Sequence, residues 1–130
     1  MVLLNALAAL AGCGQAGTPG ASGVCWRAGP ATPGKVAFTP LARGVTSLDD
    51  CAAMLEAVRL EGAPRADGAF QGYFIFVDAR QVASSESPRG FRYPIFQPGQ
   101  RAEIDADLRG LIRDRGGRPP TPGDIAVQRR

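Results

Sequence analysis

The chain has 130 residues, 45% of them hydrophobic, with 15 Lys and Arg against 12 Asp and Glu for a net charge of +3, and it contains no histidine. The missing histidine excludes Ser-His-Asp and Cys-His catalysis and His-ligated zinc, copper or haem, and it argues against a pH switch near neutrality. The positive charge is carried almost entirely by Arg, with Lys35 the only lysine, and no aromatic interleaving accompanies it, so no nucleic-acid partner is expected.

The chain opens on an apolar run, Val2-Leu3-Leu4-Asn5-Ala6-Leu7-Ala8-Ala9-Leu10-Ala11. The run has the length of a signal-peptide h-region and is too short to span a bilayer as a helix. It closes on Leu10-Ala11-Gly12-Cys13, a small-residue step into a cysteine that resembles the lipobox of bacterial lipoproteins. In that family the cysteine is acylated and becomes the first mature residue. The resemblance therefore implies that residues 1–12 are a cleaved signal peptide and that Cys13 carries lipid. The mature chain would then be tethered to a membrane of the cell envelope. Gly14, standing where inner-membrane retention in enterobacterial lipoproteins uses Asp, implies outer-membrane sorting on the same resemblance. Two features depart from the family pattern. No Lys or Arg precedes the run, the first basic residue being Arg27, so the true start lies upstream or the chain is trimmed. Ala9-Leu10-Ala11 also fits an ordinary small-x-small cleavage site, which would release a soluble secreted protein. A buried N-terminal helix of a cytosolic protein is the third reading.

After Cys13, residues 14–23 consist of Gly, Ala, Ser, Thr, Gln and Pro, and Gly29 to Gly34 is again loop-like. Residues 13–34 are therefore expected to be a flexible, lipid-anchored spacer. The cysteines are Cys13, Cys25 and Cys51. If Cys13 carries lipid, Cys25 and Cys51 remain as one pair that an oxidising compartment can join. Such a cross-link removes roughly 3 to 4 kcal/mol of unfolded-chain entropy. The alternative is a buried, apolar Cys51 on a helix and a loose thiol at Cys25. No C-x-x-C occurs, so neither a zinc ribbon nor a thioredoxin-like site is supported.

Residues 35–115 carry nearly all the apolar periodicity and form one expected domain. Lys35 to Leu41 predicts a short strand that Pro40 confines to an edge or ends. Ser47 with Asp50 three residues on reads as a capping box, with Asp in place of Glu, that starts a helix running to about Leu60. Leu48, Cys51, Ala52, Leu55 and Val58 share its apolar face, and Gly62 and Pro64 stop it. Ala69 to Val77 predicts one central strand, with Phe70, Phe74 and Phe76 on one face, Tyr73, Ile75 and Val77 on the other, and a bulge or close approach at Gly72. Gln81 to Ser84 continues that strand or begins another, Ser87 to Gly90 is a turn, and Phe91 to Phe96 is a further strand that Pro94 places at an edge. A last helix is expected from about Gln100 to Arg115 with Ile104, Leu108, Leu111 and Ile112 inward. The Pro/Gly-rich residues 116–130 read as a disordered tail. The predicted class is α+β: an antiparallel sheet of three to four strands with two helices packed on one face. That β-α-β-β-α order is similar to the SPOR-type peptidoglycan-binding domain, by element order alone, and the resemblance implies a cell-wall glycan ligand.

Candidate chemical groups are few. Asp49-Asp50 and Asp105-x-Asp107 lie near predicted helix N-termini, where the dipole favours acids, and no calcium-loop pattern surrounds them. Ser84-Ser85-Glu86-Ser87 has no Lys or His base nearby in sequence and reads as a polar loop. No catalytic residue, metal ligand or cofactor is expected. The C-terminal charges, Arg109, Arg113, Arg115, Arg118, Arg129 and Arg130 mixed with Asp105, Asp107, Asp114 and Asp124, read as a solvated mixed-charge helix face. Function is best sought in an aromatic and Arg-rich segment: Trp26, Tyr73, Tyr93 and Phe96, flanked by Arg80, Arg89 and Arg92. The bland alternative places the aromatics in the core and the arginines on its rim. The expectation is a small, non-enzymatic envelope lipoprotein whose Trp26, Tyr73, Arg80, Arg89, Arg92 and Tyr93 bind a protein partner. The alternatives are a cell-wall glycan-binding module recognising an anionic glycan, and a secreted enzyme with an Asp or Ser site.

Overall fold

A computed structural model describes residues 18–29 and 36–128. The apolar run, the lipobox with Cys13, parts of the expected spacer, and Arg129 and Arg130 lie outside the described residues. The expected α+β class with an antiparallel sheet is observed. The described residues form β1 (Val24–Ala28), β2 (Phe38–Arg43), α1 (Leu48–Leu60), β3 (Gly68–Phe70), β4 (Tyr73–Val77), β5 (Val82–Ser85), β6 (Tyr93–Pro94), α2 (Pro98–Asp114) and α3 (Pro122–Gln128). The six strands follow the order β2-β1-β3-β4-β5-β6, and every neighbouring pair is antiparallel.

Three elements differ from the sequence expectation, each for a local reason. First, Ala69 to Val77 is two strands and not one, because Gln71 and Gly72 turn the chain with φ of 45° and 92°. Two consecutive positive φ values give a primed hairpin turn, whose twist matches that of the flanking strands. The turn pairs Phe70 with Tyr73 and so moves Phe70 to the face of Tyr73, Ile75 and Val77, away from Phe74 and Phe76. Second, β1 lies inside the stretch read as spacer; it pairs with both β2 and β3 and is an interior strand. Third, α3 lies inside the stretch read as a disordered tail. Thr121 Oγ1 accepts from the Asp124 N–H at 3.2 Å and Asp124 Oδ2 accepts from the Thr121 N–H at 2.9 Å, a reciprocal cap with Pro122 at the first helical position. The sheet accordingly has six strands where three or four were expected, three helices where two were expected, and an element order that departs from the β-α-β-β-α outline.

The capped helix forms where the sequence places it. Ser47 Oγ accepts from the Asp50 N–H at 3.1 Å at the start of α1. Opposed residues of an antiparallel pair share a face, so the ladder registers place Cys25, Gly68, Phe70, Ile75, Val77 and Val82 together. This is the face that α1 covers. A Cβ built on Gly68 would lie 2.0 Å from the Trp26 carbonyl oxygen of β1 and 2.8 Å from Leu55 Cδ1 of α1, so the β1 backbone requires glycine here and Leu55 packs over it. Cys25 and Cys51 form a disulfide with Cα atoms 5.3 Å apart, fixing β1 to α1. Leu55, Ile75, Val77 and Val82 fill the layer between helix and sheet. α2 and α3 pack against α1, with Leu108 and Ile125 contributing to the same core. No helix among the described residues is long and apolar enough to cross a membrane.

Candidate functional site

α1 is buried continuously from Asp50 to Ala57. Within that stretch Glu56 is the one residue whose charge faces α2, and its side chain is fully buried. A buried carboxylate requires charge and hydrogen-bond partners, and two guanidinium forks supply them. Arg59 donates from Nε at 2.7 Å and from Nη2 at 3.2 Å. Arg101, reaching across from α2, donates from Nε at 2.6 Å and from Nη2 at 3.0 Å. The Arg101 fork also donates to the Asp78 carbonyl oxygen in the β4–β5 turn, tying both helices to the sheet.

Asp105, one turn beyond Arg101 on α2, completes the cluster, with Oδ2 3.8 Å from Arg59 Nη2. Its Oδ1 is buried with no hydrogen-bond partner among the described residues. The two carboxyls are driven apart. Burial alone would raise the Glu56 pKa, but the hydrogen bonds from Arg101, Arg59 and Asp105 hold it down at about 2. Burial, then the hydrogen bond and negative charge of Glu56, push Asp105 up to about 6 against the pull of Arg101 and Arg59. One proton is thus kept on Asp105 in mildly acidic solution.

The Arg59, Arg101 and Asp105 cluster forms one wall of a cleft of about 480 Å³. The opposite side is made by the β4–β5 turn, β5 and β6, with Arg80, Gln81, Val82, Ala83, Arg92 and Pro94. The turn is shaped by Asp78, whose Oδ1 accepts from the N–H groups of Arg80 at 2.8 Å and Gln81 at 3.0 Å. Arg92 places its guanidinium carbon over the Phe76 ring, 3.7 Å from its centroid, and Phe76 continues through Phe74 to Phe38 as an aromatic row on the sheet face away from α1. Beside this cleft Phe91 and Tyr93 pack together with centroids 4.8 Å apart, exposed by 72% and 54%.

Of the six residues expected to bind a partner, Arg80 and Arg92 line this cleft and Tyr93 stands on the adjoining strand. Arg89 is exposed in the β5–β6 loop. Tyr73 is exposed at the opposite end of β4 from the Arg80 turn. Trp26 is half-buried on β1, with β3 and β4 between it and β5, and its Nε1 is buried without a hydrogen-bond partner among the described residues. Phe96, read as a surface aromatic, is 7% exposed. Sequence reasoning missed Glu56, Arg59 and Arg101, and it considered Asp105 only as a helix N-terminal acid beside Asp107. A signal for Glu56 was present, since Cys51-Ala-Ala-Met-Leu-Glu-Ala-Val58 is apolar all round except for that one residue, and a helix apolar on every side is buried on every side.

The residues considered for an Asp or Ser site are dispersed. Ser84 is buried within β5, and Asp50 is buried with Oδ2 accepting from Thr46 Oγ1 at 3.2 Å. Asp49 borders a second cleft, of about 360 Å³, with Glu103 and Asp107 around Ala53, Phe96, Ile104, Leu108 and Ile125. The described lining of that cleft holds no hydroxyl, thiol or cationic group. No three His, Cys, Asp or Glu side chains among the described residues gather closely enough to hold a metal ion. Comparison with protein-family models, curated proteins and solved structures produced no match.

Proposed function

We propose that the protein is an exported, non-enzymatic binding module, anchored to the cell envelope through lipid on Cys13, that engages a protein partner along its β4–β6 edge. The observation that carries this reading is the exposed Phe91–Tyr93 pair standing beside Arg92, whose guanidinium is fixed on Phe76. Exposed aromatics beside a stacked arginine match the composition of interface hot spots, because they offer large contact area at little cost in side-chain entropy. The Cys25–Cys51 disulfide supports the compartment, since such bonds persist where the environment is oxidising.

Two experiments test the reading. Intact mass and membrane fractionation of the full-length product made in a bacterium, beside a Cys13→Ser variant, test the address. Acyl mass and membrane association lost in the variant are expected; an unprocessed soluble product contradicts it. A photo-crosslinking residue at position 91, compared with one at Thr39 on β2, tests the surface in the same cells. A discrete adduct from position 91 and none from position 39 is expected. Equal labelling from both positions contradicts a partner edge at β4–β6.

A further inference from the structure

We propose that the cleft between the β4–β5 turn, β6 and the start of α2 binds a carboxylate of an acidic polypeptide segment, with Arg80 and Arg92 as donors. The inference rests on the reading of this edge as the partner surface and names what the partner presents there.

Charge is the first argument. Four guanidinium groups line the cleft, Arg59, Arg80, Arg92 and Arg101, against one carboxyl group, Asp105. Arg59 and Arg101 are committed to Glu56. Arg80 and Arg92 make no ion pair among the described residues, so an anion entering the cleft meets donors that nothing in the described fold occupies. Geometry is the second argument. The Arg92 guanidinium carbon sits 3.7 Å from the Phe76 centroid, which restrains the side chain, and a planar guanidinium fork suits bidentate contact with a carboxylate. The third argument is the remaining lining. Val82, Ala83, Pro94 and Phe96 lower the local dielectric, which strengthens the charge contact, and they accept the methylene stem of a glutamate better than a bare hydrated anion.

Asp105 faces Glu56 and Arg59 from α1 and Arg101 from its own helix; Asp78 of the β4–β5 turn and Arg80 and Arg92 border the same space. When Asp105 carries its proton, the one carboxyl that lines the cleft is neutral and does not compete for Arg80 and Arg92. When Asp105 ionises, as pH rises through about 6, it repels that carboxylate. Acidic peptide therefore binds more tightly on the acid side, down to the pH at which the peptide itself protonates.

The test is anisotropy of a labelled hexaglutamate peptide with the full-length protein, with hexalysine and inorganic phosphate as comparison probes. Expected are saturable binding of hexaglutamate alone and a loss of at least about tenfold in the Arg80→Gln/Arg92→Gln protein. Binding should be about three- to tenfold tighter near pH 5.5 than near pH 7.5. In Asp105→Asn the tight value should hold at both pH values. Unchanged binding in the double Arg variant, an equal response to phosphate, or a pH dependence that survives Asp105→Asn overturns the proposal. Failure here is distinct from failure of the partner reading. Position-91 adducts that persist in the double Arg variant leave the edge as an interface and remove the carboxylate from it; loss of those adducts in the same variant supports the proposal.

Discussion

α1 presents two sides that are held in opposite ways. Toward the sheet it offers Cys51 and Leu55, and the contact is apolar, cross-linked and close, with Leu55 packed over Gly68. Toward α2 it offers Glu56 and Arg59, and the contact is an ion network whose carboxylate has no exposed side-chain surface. The sheet side is bound by removal of apolar surface from water, which is non-directional and tolerant of small shifts. The α2 side depends on two forks meeting one carboxylate, and burying that charge costs more than it returns unless both forks are present. The sheet side therefore carries stability, while the α2 side fixes where α2 sits and hence the shape and charge of the arginine cleft.

Substitutions on each side should separate these roles. Glu56→Gln leaves two guanidinium groups facing a neutral amide in a buried site and is expected to cost about 3–5 kcal/mol, read from the midpoint of urea unfolding. Replacing Glu56, Arg59 and Arg101 together by leucine or methionine should recover most of that loss and disrupt the cleft; failure to recover would mean that the network itself is a net source of stability. On the sheet side, Cys25→Ala with Cys51→Ala should cost about 3 kcal/mol. A smaller loss would show that Leu55 and its neighbours hold α1 without the cross-link.

The pH dependence of stability arises on the α2 side, where both carboxyls lie. Glu56 is held below its unfolded value, so its contribution is present above about pH 4.5 and disappears as pH falls toward about 2. Asp105 is held above its unfolded value of 3.8, so its contribution is complete below that value and is lost as pH rises through about 6. Thermal melts should therefore peak between these limits and decline on both sides. Asp105→Asn should remove the decline between about pH 4 and pH 6 and keep the acid one. The smallest expected effect is that of Arg92→Gln, which removes an exposed cation–π contact at a cost of about 0.5–1 kcal/mol and leaves the α2 side of α1 intact.

The sheet side of α1 was legible in the sequence and the α2 side was not. Ser47, Asp50 and the spacing of Cys51, Leu55 and Val58 are local signals of a capped amphipathic helix, and the fold keeps them. The hairpin was obscured because Gln71-Gly72 is a weaker turn signal than Asn-Gly, and the apolar residues on both sides of it made Ala69 to Val77 read as one continuous run. α3 was obscured because Pro119, Pro120 and Pro122 outweighed the cap formed by Thr121 and Asp124, the same pattern read correctly at Ser47 and Asp50. The ion network was unreadable as a network, since Glu56 and Arg101 lie 45 positions apart and charged residues on α2 read as a solvated face. That reading holds for exposed Arg109 and Arg113 and fails for Asp105, which α1 covers.

The claim that α2 is seated by a split carboxyl pair beside the arginine cleft is tested most directly by carboxyl carbon NMR of the full-length protein across a pH titration. The account predicts that Asp105 titrates at about 6 and Glu56 at about 2. Titration of both groups near 4, the range of free carboxyls, would mean that neither is held as described, and the charged side of α1 would not set the cleft.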